Sequence, residues 1–192
     1  MPRFLDIPPE LCHNCATCIA VCPHGALSTG PSRPQVSPAC KDCGACYDIC
    51  PGRDVNFLAL NRFLYPGQIP DVYFGCYNAM FLGRKVPRPL PGSSSGGVVT
   101  AILTSAMEKK LIRAAQVVCM DSSSPCLAQV TVASSVREIQ EASGSKYSLI
   151  PVNSILAREN ELPGPIAYVG LPCHLHGLRK LQIATSPVAR TG

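Results

Sequence analysis

Two short stretches constrain this chain more than any other feature. "CHNCATCIAVCP" supplies Cys12, Cys15, Cys18, Cys22 and Pro23, and "CKDCGACYDICP" supplies Cys40, Cys43, Cys46, Cys50 and Pro51. Both read Cys-x2-Cys-x2-Cys-x3-Cys-Pro. Three cysteines at two-residue gaps make a loop wrap around a common centre. The fourth lies about one helical turn further on, and the proline then turns the chain away. Ala16, Gly44 and Ala45 sit between the cysteines and let the backbone approach that centre closely. The competing readings are disulfides and zinc held by four cysteines. A zinc site usually needs only two Cys-x2-Cys pairs, fewer than two complete tandem runs provide.

Compartment bears on that choice. "MPRFLDIPPEL" lacks the apolar core of a signal peptide. No segment approaches the roughly 20 apolar residues of a membrane span. The expectation is a cytoplasmic protein, where thiols stay reduced and closely spaced cysteines hold metal. The spacing is that of the bacterial ferredoxin run, whose fourth cysteine ligates the other cluster. Two 4Fe-4S clusters with crossed ligation follow. One uses Cys12, Cys15, Cys18 and Cys50, and the other Cys40, Cys43, Cys46 and Cys22.

Residues 1–60 therefore read as an α+β ferredoxin-like domain. Its basic and acidic residues are nearly balanced, unlike the acidic surface expected of a freely diffusing ferredoxin. The whole chain has 192 residues, 15% charged, with a net charge of +5 and no Trp. A surface so poor in charge suggests cover by a partner. Basic residues are scattered rather than clustered, which argues against nucleic-acid binding.

Residues 61–91 are rich in proline, with aromatics interleaved, and read as a linker leading into an irregular or short-strand segment. Cys76 stands alone there, as a buried thiol or a further ligand. Residues 92–192 read as part of an α/β domain. In "GSSSGGVVTAILTSAMEKKLI", Val98, Val99, Ile102, Leu103, Ala106 and Met107 recur at helical spacing. Ser93, Ser94 and Ser95 would cap that helix, and Gly96 and Gly97 would bare its first N–H groups. Such a terminus suits a pyrophosphate or ring carbonyl, and is equally an ordinary cap. It is no Walker loop, since no Gly-Lys-Ser/Thr follows. Ala115 to Met120 and Cys126 to Ser134 read as strands, and "SSVREIQEA" as a capped helix. "SILAREN" is expected to be helical, Ile166 to Gly170 a strand, and "HLHGLRKLQ" a helix.

"VGLPCHLHGL" carries the second chemically loaded stretch. It leaves a strand, turns at Gly170 and Pro172, and places Cys173 at a helix N-terminus, where a dipole would depress a thiol's pKa. Ligands of open α/β sheets bind at such an edge. The alternative is a buried structural thiol with His174 and His176 in solvent.

Taken in order, the two cysteine runs, "SSSGGVVTAILTSAMEKKLI", "GSKY" and "VGLPCHLHGL" resemble the coenzyme F420 hydrogenase/dehydrogenase beta-subunit family, which includes formate dehydrogenase beta subunits. The resemblance implies an iron–sulfur flavoprotein in which two 4Fe-4S clusters serve an FAD that exchanges electrons with a deazaflavin or another acceptor. It implies flavin contacts from Ser94, Ser95, Gly96 and Gly97, from Gly144, Ser145, Lys146 and Tyr147, and from Gly170, Pro172 and Cys173. Lys146 would bring positive charge toward a reduced flavin. His174 stands where the family usually has Gln. Family members continue well beyond the point reached by Gly192. The flavin domain is therefore expected to be incomplete: a partner chain completes it, the chain is a fragment, or the flavin site has degenerated. The expected function is an electron-transfer subunit of an oxidoreductase complex. The alternative is a non-catalytic iron–sulfur relay or assembly subunit with a vestigial or partner-completed flavin site. Expected partners are larger redox subunits, such as a hydrogenase, a formate dehydrogenase or a heterodisulfide-reductase-like enzyme. The sequence assigns no role to Cys119 or Cys126.

Overall fold

The computed structural model describes residues 3, 6–86, 94–121, 123–124, 127–162 and 164–185. Ser93, Cys126, and Pro87, Pro89 and Pro91 lie outside the described residues. Among those described, the fold is mixed α and β.

The cysteine-rich part is built from short pieces because its loops leave little room for regular structure. Helix α1 (Thr17–Val21) follows the first loop and α2 (Ala45–Asp48) the second. Between them β1 (Leu27–Ser28) pairs antiparallel with β2 (Gln35–Val36). The small core consists of Ile7, Cys18, Leu27 and Cys50. Helix α3 (Phe57–Leu64) comes next, and the Asn56 side chain caps it by accepting from the Ala59 N–H at 2.9 Å. This helix runs across the expected boundary at residue 60. The segment after it makes one tight turn, where the Asp71 carboxylate accepts from the N–H groups of Tyr73 and Phe74 at 2.8 and 2.9 Å. Cys76, expected to be buried, is only half-buried there.

The second part holds helix α4 (Val98–Glu108), β3 (Ala114–Met120), β4 (Ala128–Ala133), α5 (Val136–Glu141), β5 (Ile166–Tyr168) and α6 (Pro172–Thr185). The sheet order is β4-β3-β5. β3 pairs antiparallel with β4 and parallel with β5, so the sheet is mixed. β3 is central, and its Ala114 and Ala115 are fully buried. Leu103, Ala115, Val117, Ala133 and Ile139 form the core. The buried Gln116 side chain extends the β3–β5 ladder, its Oε1 accepting from the Val169 N–H at 3.1 Å. Helix α5 has a full capping box, with Ser135 and Glu138 satisfying each other's backbone N–H groups.

Three expectations change. "SILAREN" belongs to a 3-10 segment, Val152–Glu161, rather than an α-helix. The strand expected from Cys126 begins at Ala128. Helix α4 buries Leu103, whereas Val98, Val99 and Ile102 are exposed.

The two parts dock closely through α6 and the 3-10 segment. Lys180 Nζ donates to the carbonyls of Cys50 and Asp54, both at 3.0 Å, and to Asp54 Oδ1 at 3.1 Å. On the same helix Gly177 faces α1. A Cβ there would lie 2.0 Å from Thr17 Oγ1 and 3.0 Å from Asn153 Nδ2. Alanine normally favours a helix over glycine by about 1 kcal/mol. At Gly177 that preference should reverse. Gly177→Ala is expected to destabilise the chain by about 1–3 kcal/mol through overpacking, while Gly83→Ala, where a Cβ meets nothing within 4 Å, should leave it unchanged. Denaturant unfolding of the two variants checks this.

Candidate functional site

The two cysteine loops share one backbone trace. In the first, Asn14 and Ala16 flank Cys15 with φ of 50° and 66°. In the second, Asp42 and Gly44 flank Cys43 with φ of 51° and 81°. This left-handed region costs an ordinary residue about 1–2 kcal/mol, with Asn and Asp tolerating it best. Ala16 bears that cost without such relief. Ala16 and Gly44 are also the N-caps of α1 and α2, and neither helix has a side-chain cap. Each loop thus curls in the same way around its second cysteine, and successive backbone N–H groups in such a curl suit an electron-rich group.

The thiols are arranged to match. Cys22, Cys40, Cys43 and Cys46 line one cavity of about 230 Å³. The Ala26 N–H donates to Cys22 Sγ at 3.3 Å. Cys15, Cys18 and Cys50 are buried, and Cys12, Cys22 and Cys46 all pack against the core that holds Cys18 and Cys50. Burial pushes the Cys15 thiol up, and the neighbouring Cys50 adds to this. Burial also pushes Cys18 far up, with further contributions from Cys15, Cys50, Cys12 and Cys46. Cations placed among such buried sulfurs favour the thiolate form, and an iron cluster would supply them. Every described cysteine is a free thiol. The residues present therefore fit two iron–sulfur clusters.

A larger cavity, about 510 Å³, lies between the two parts of the chain. Ser94, Ser95 and Gly97 line it from the start of α4. Gly144, Ser145 and Lys146 line it from the turn after α5, and Gly170 and Cys173 from the turn into α6. Segments widely separated in sequence thus meet at one wall system. Gly96, Tyr147 and Pro172 are not among the lining residues, and Tyr147 is 95% exposed.

The local chemistry differs from expectation at several places. Gly97 is the N-cap of α4, with φ of 71° and no side-chain cap. Ser94 does not cap the helix. Its hydroxyl accepts from the Ser145 N–H at 2.7 Å and ties the two turns together. Lys146 Nζ donates to the carbonyls of Ala142, Ser143 and Gly144 at 2.5, 2.9 and 3.0 Å, so its ammonium closes the C-terminal end of α5. Burial lowers its pKa, against an opposing pull from Cys119. Cys173 is the second residue of α6, yet burial pushes its thiol up and outweighs the nearby backbone N–H groups. His174 is not in solvent. It is 6% exposed, and its Nδ1 accepts from the Leu171 N–H at 3.1 Å. Burial, and secondarily His13, pulls it below the usual imidazole value.

Sequence reasoning missed three participants. His13, inside the first cysteine loop, lines the larger cavity together with His174. Thr17 and Asn153 are fully buried and join the loop to α6. His13 was discoverable as a polar residue between two ligand cysteines, whereas nothing in the local sequence marks Asn153.

Comparisons with known proteins bear on two stretches of the chain. Residues 5–51 match the 4Fe-4S dicluster domain, so this part of the chain is an iron–sulfur module. Residues 80–157 match the N-terminal region of the coenzyme F420 hydrogenase/dehydrogenase beta subunit. A coenzyme F420-dependent sulfite reductase of Methanocaldococcus jannaschii is 30% identical over 175 residues, 90% of this chain and 25% of that protein. One of the subunits of the F(420)H(2) dehydrogenase of Methanosarcina mazei is 27% identical over 195 residues, covering 94% of this chain and 51% of its own length. The coenzyme F420 hydrogenase beta subunit of Methanococcus voltae is 32% identical over 112 residues, 56% of this chain and 39% of its own. The chain thus spans between a quarter and half the length of these relatives. Over most of its length it is similar to members of the coenzyme F420 hydrogenase/dehydrogenase beta-subunit family.

Proposed function

We propose that this chain is the iron–sulfur electron-transfer part of an F420-related oxidoreductase, with FAD in the larger cavity and a deazaflavin or another acceptor beyond it. The observation that carries this reading is the position of His13. A residue from the first cysteine loop lines the same cavity as the Ser94–Gly97, Gly144–Lys146 and Gly170–Cys173 turns. A cluster in that loop and a ligand in that cavity would be neighbours. When bound, the clusters would carry single electrons and the flavin would pair them.

The chain's residues have definable tasks in this reading. Cys12, Cys15, Cys18 and Cys50 hold the cluster beside the cavity, and Cys22, Cys40, Cys43 and Cys46 the other. The uncapped N-terminus of α4 offers N–H groups to a phosphate or ring carbonyl. Val98, Val99 and Leu103 provide an apolar wall. Names among the relatives, a hydrogenase subunit and a dehydrogenase subunit, support a larger redox subunit as partner. Exposed Ile69, Val72, Tyr73, Phe81 and Leu82 are consistent with such a partner. No described helix is long and apolar enough to cross a membrane.

A second reading is a cluster relay with a vestigial or partner-completed flavin site. It is favoured by Tyr147, which points away from the cavity wall into solvent, and by the Lys146 ammonium, already engaged by three carbonyls. Anaerobic purification with iron, sulfide and flavin analysis separates the two. Two cubanes give about eight iron and about eight acid-labile sulfide per chain. Flavin near one per chain supports the first reading, and clusters without flavin support the relay.

Two substitutions extend the test. Gly97→Val puts a β-branched residue at a left-handed position beside the cavity, and should abolish flavin occupancy while both clusters remain by visible and EPR spectroscopy. Cys22→Ala should disturb the cluster held mainly by Cys40, Cys43 and Cys46. Loss confined to the cluster of the first run would overturn the crossed ligation.

A further inference from the structure

A continuous set of buried polar groups joins the first cysteine loop to the cavity wall. Cys15 Sγ lies 3.3 Å from Thr17 Oγ1. Thr17 Oγ1 accepts from Asn153 Nδ2 at 2.8 Å. Asn153 Nδ2 also donates to the His174 carbonyl at 2.9 Å. A carbonyl can only accept, so this contact fixes which way the Asn153 amide faces. Asn153 Oδ1 accepts from the Tyr168 hydroxyl, and the Asn153 backbone N–H donates to the Cys15 carbonyl at 2.9 Å. Thr17 and Asn153 are both fully buried, and Gly177 leaves room for their meeting.

The direction of the hydrogen bonds follows. Asn153 gives a hydrogen to the Thr17 oxygen, so the Thr17 hydroxyl hydrogen is free to turn toward Cys15 Sγ. A metal-bound Cys15 is a thiolate with no hydrogen to give, so Thr17 is the donor. The Thr17 backbone N–H also faces this sulfur. The second run offers an internal control. Ala45 occupies the position equivalent to Thr17, one residue before the third cysteine, and has no hydroxyl. The two loops share their backbone trace and differ in this donor.

Hydrogen bonds to ligand sulfurs are one of the protein's levers on cluster potential. A donated O–H withdraws charge from the thiolate and favours the reduced, more negative cluster. We infer that Thr17, held in place by Asn153, raises the reduction potential of the cluster ligated by Cys15 and leaves that of the second cluster untouched. Thr17 touches the ligand sulfur, and Asn153 is a positioning residue that acts through it. This inference rests on the two-cluster reading above.

The test is an EPR-monitored redox titration of the anaerobically purified complex, with iron and sulfide measured on the same samples. Thr17→Val keeps the shape and removes the donor. One cluster should move to a more negative potential, with the other unmoved. Thr17→Ser restores the hydroxyl and should return the potential toward that of the unaltered protein. Should Thr17→Val fail to assemble, Tyr168→Phe decides: it weakens the polarisation of Asn153 and should shift the same cluster in the same direction by less. Full iron and sulfide content with both potentials unmoved overturns this inference alone. Equal shifts of both clusters, or a Thr17→Ser variant shifted as far as Thr17→Val, also overturn it. Unaltered protein without iron and sulfide overturns the two-cluster reading beneath it.

Discussion

The close approach of α6 to α1, sealed by the Asn153 amide, is the contact on which the arrangement of this chain depends. Asn153 engages its side chain on every side at once, toward Thr17, the His174 carbonyl and Tyr168, while its backbone N–H holds the Cys15 carbonyl. A buried amide left half-satisfied would cost about 1–3 kcal/mol. The network therefore tolerates few alternative positions for the first cysteine loop. Lys180 makes a second attachment at the carbonyls of Cys50 and Asp54. Cys15 and Cys50 belong to the same proposed ligand set, so both attachments bear on one cluster. The cavity of the second set is lined instead by Leu27 and Val36 of the β1–β2 pair.

Charge explains the construction of the loops. Buried thiols repel one another as thiolates, and no described lysine or arginine is among the groups that shift Cys15 or Cys18. In the two-cluster reading, bound iron would supply the compensating charge. The left-handed residues on either side of Cys15 and Cys43 curl the backbone around those two cysteines. Ala16 accepts strain that Gly44 avoids, and it is buried beneath the 3-10 segment's contact with α1. A tight tertiary contact and a strained loop are thus found at the same place.

The larger cavity is assembled from turns rather than from regular elements. The Ser94–Ser145 bond closes one side, the α6 turn another, and the first cysteine loop a third. Such walls are set by what flanks them. Gly170 illustrates this, since a Cβ there would lie 2.9 Å from His174 Cβ and 3.0 Å from the Tyr168 ring. The same residue that shapes the turn makes room for the His174 side chain, which lines the cavity, and for the Tyr168 ring, whose hydroxyl donates to Asn153. Meanwhile, the apolar segment around Tyr73, Phe81 and Leu82 packs against little of this chain.

The cysteine rhythm was legible because ligand spacing is a local property: two-residue gaps leave the backbone few ways to present three sulfurs to one centre. The capping box of α5 and the hydrophobic run of β3 were legible for the same reason, each being decided by neighbours within a few residues. The Ser94, Gly144 and Gly170 turns could be found as turns, but their meeting at one cavity was supplied by the order β4-β3-β5 and by α6. Ser93–Ser95 suggested a cap because serine is a good one, whereas the positive φ of Gly97 ended the helix first and freed Ser94 to reach Ser145. Cys173 suggested an activated thiol because it opens a helix, whereas burial against the first loop outweighed the helix terminus. Asn153 carries no local signature at all, and nothing local marks His174 as buried. The sequence by itself determined the spacing of the eight cysteines in the two runs. Only the tertiary structure decided which loop lies beside the cavity, because that choice rests on contacts between residues more than a hundred positions apart, Thr17 with Asn153 and Cys50 with Lys180.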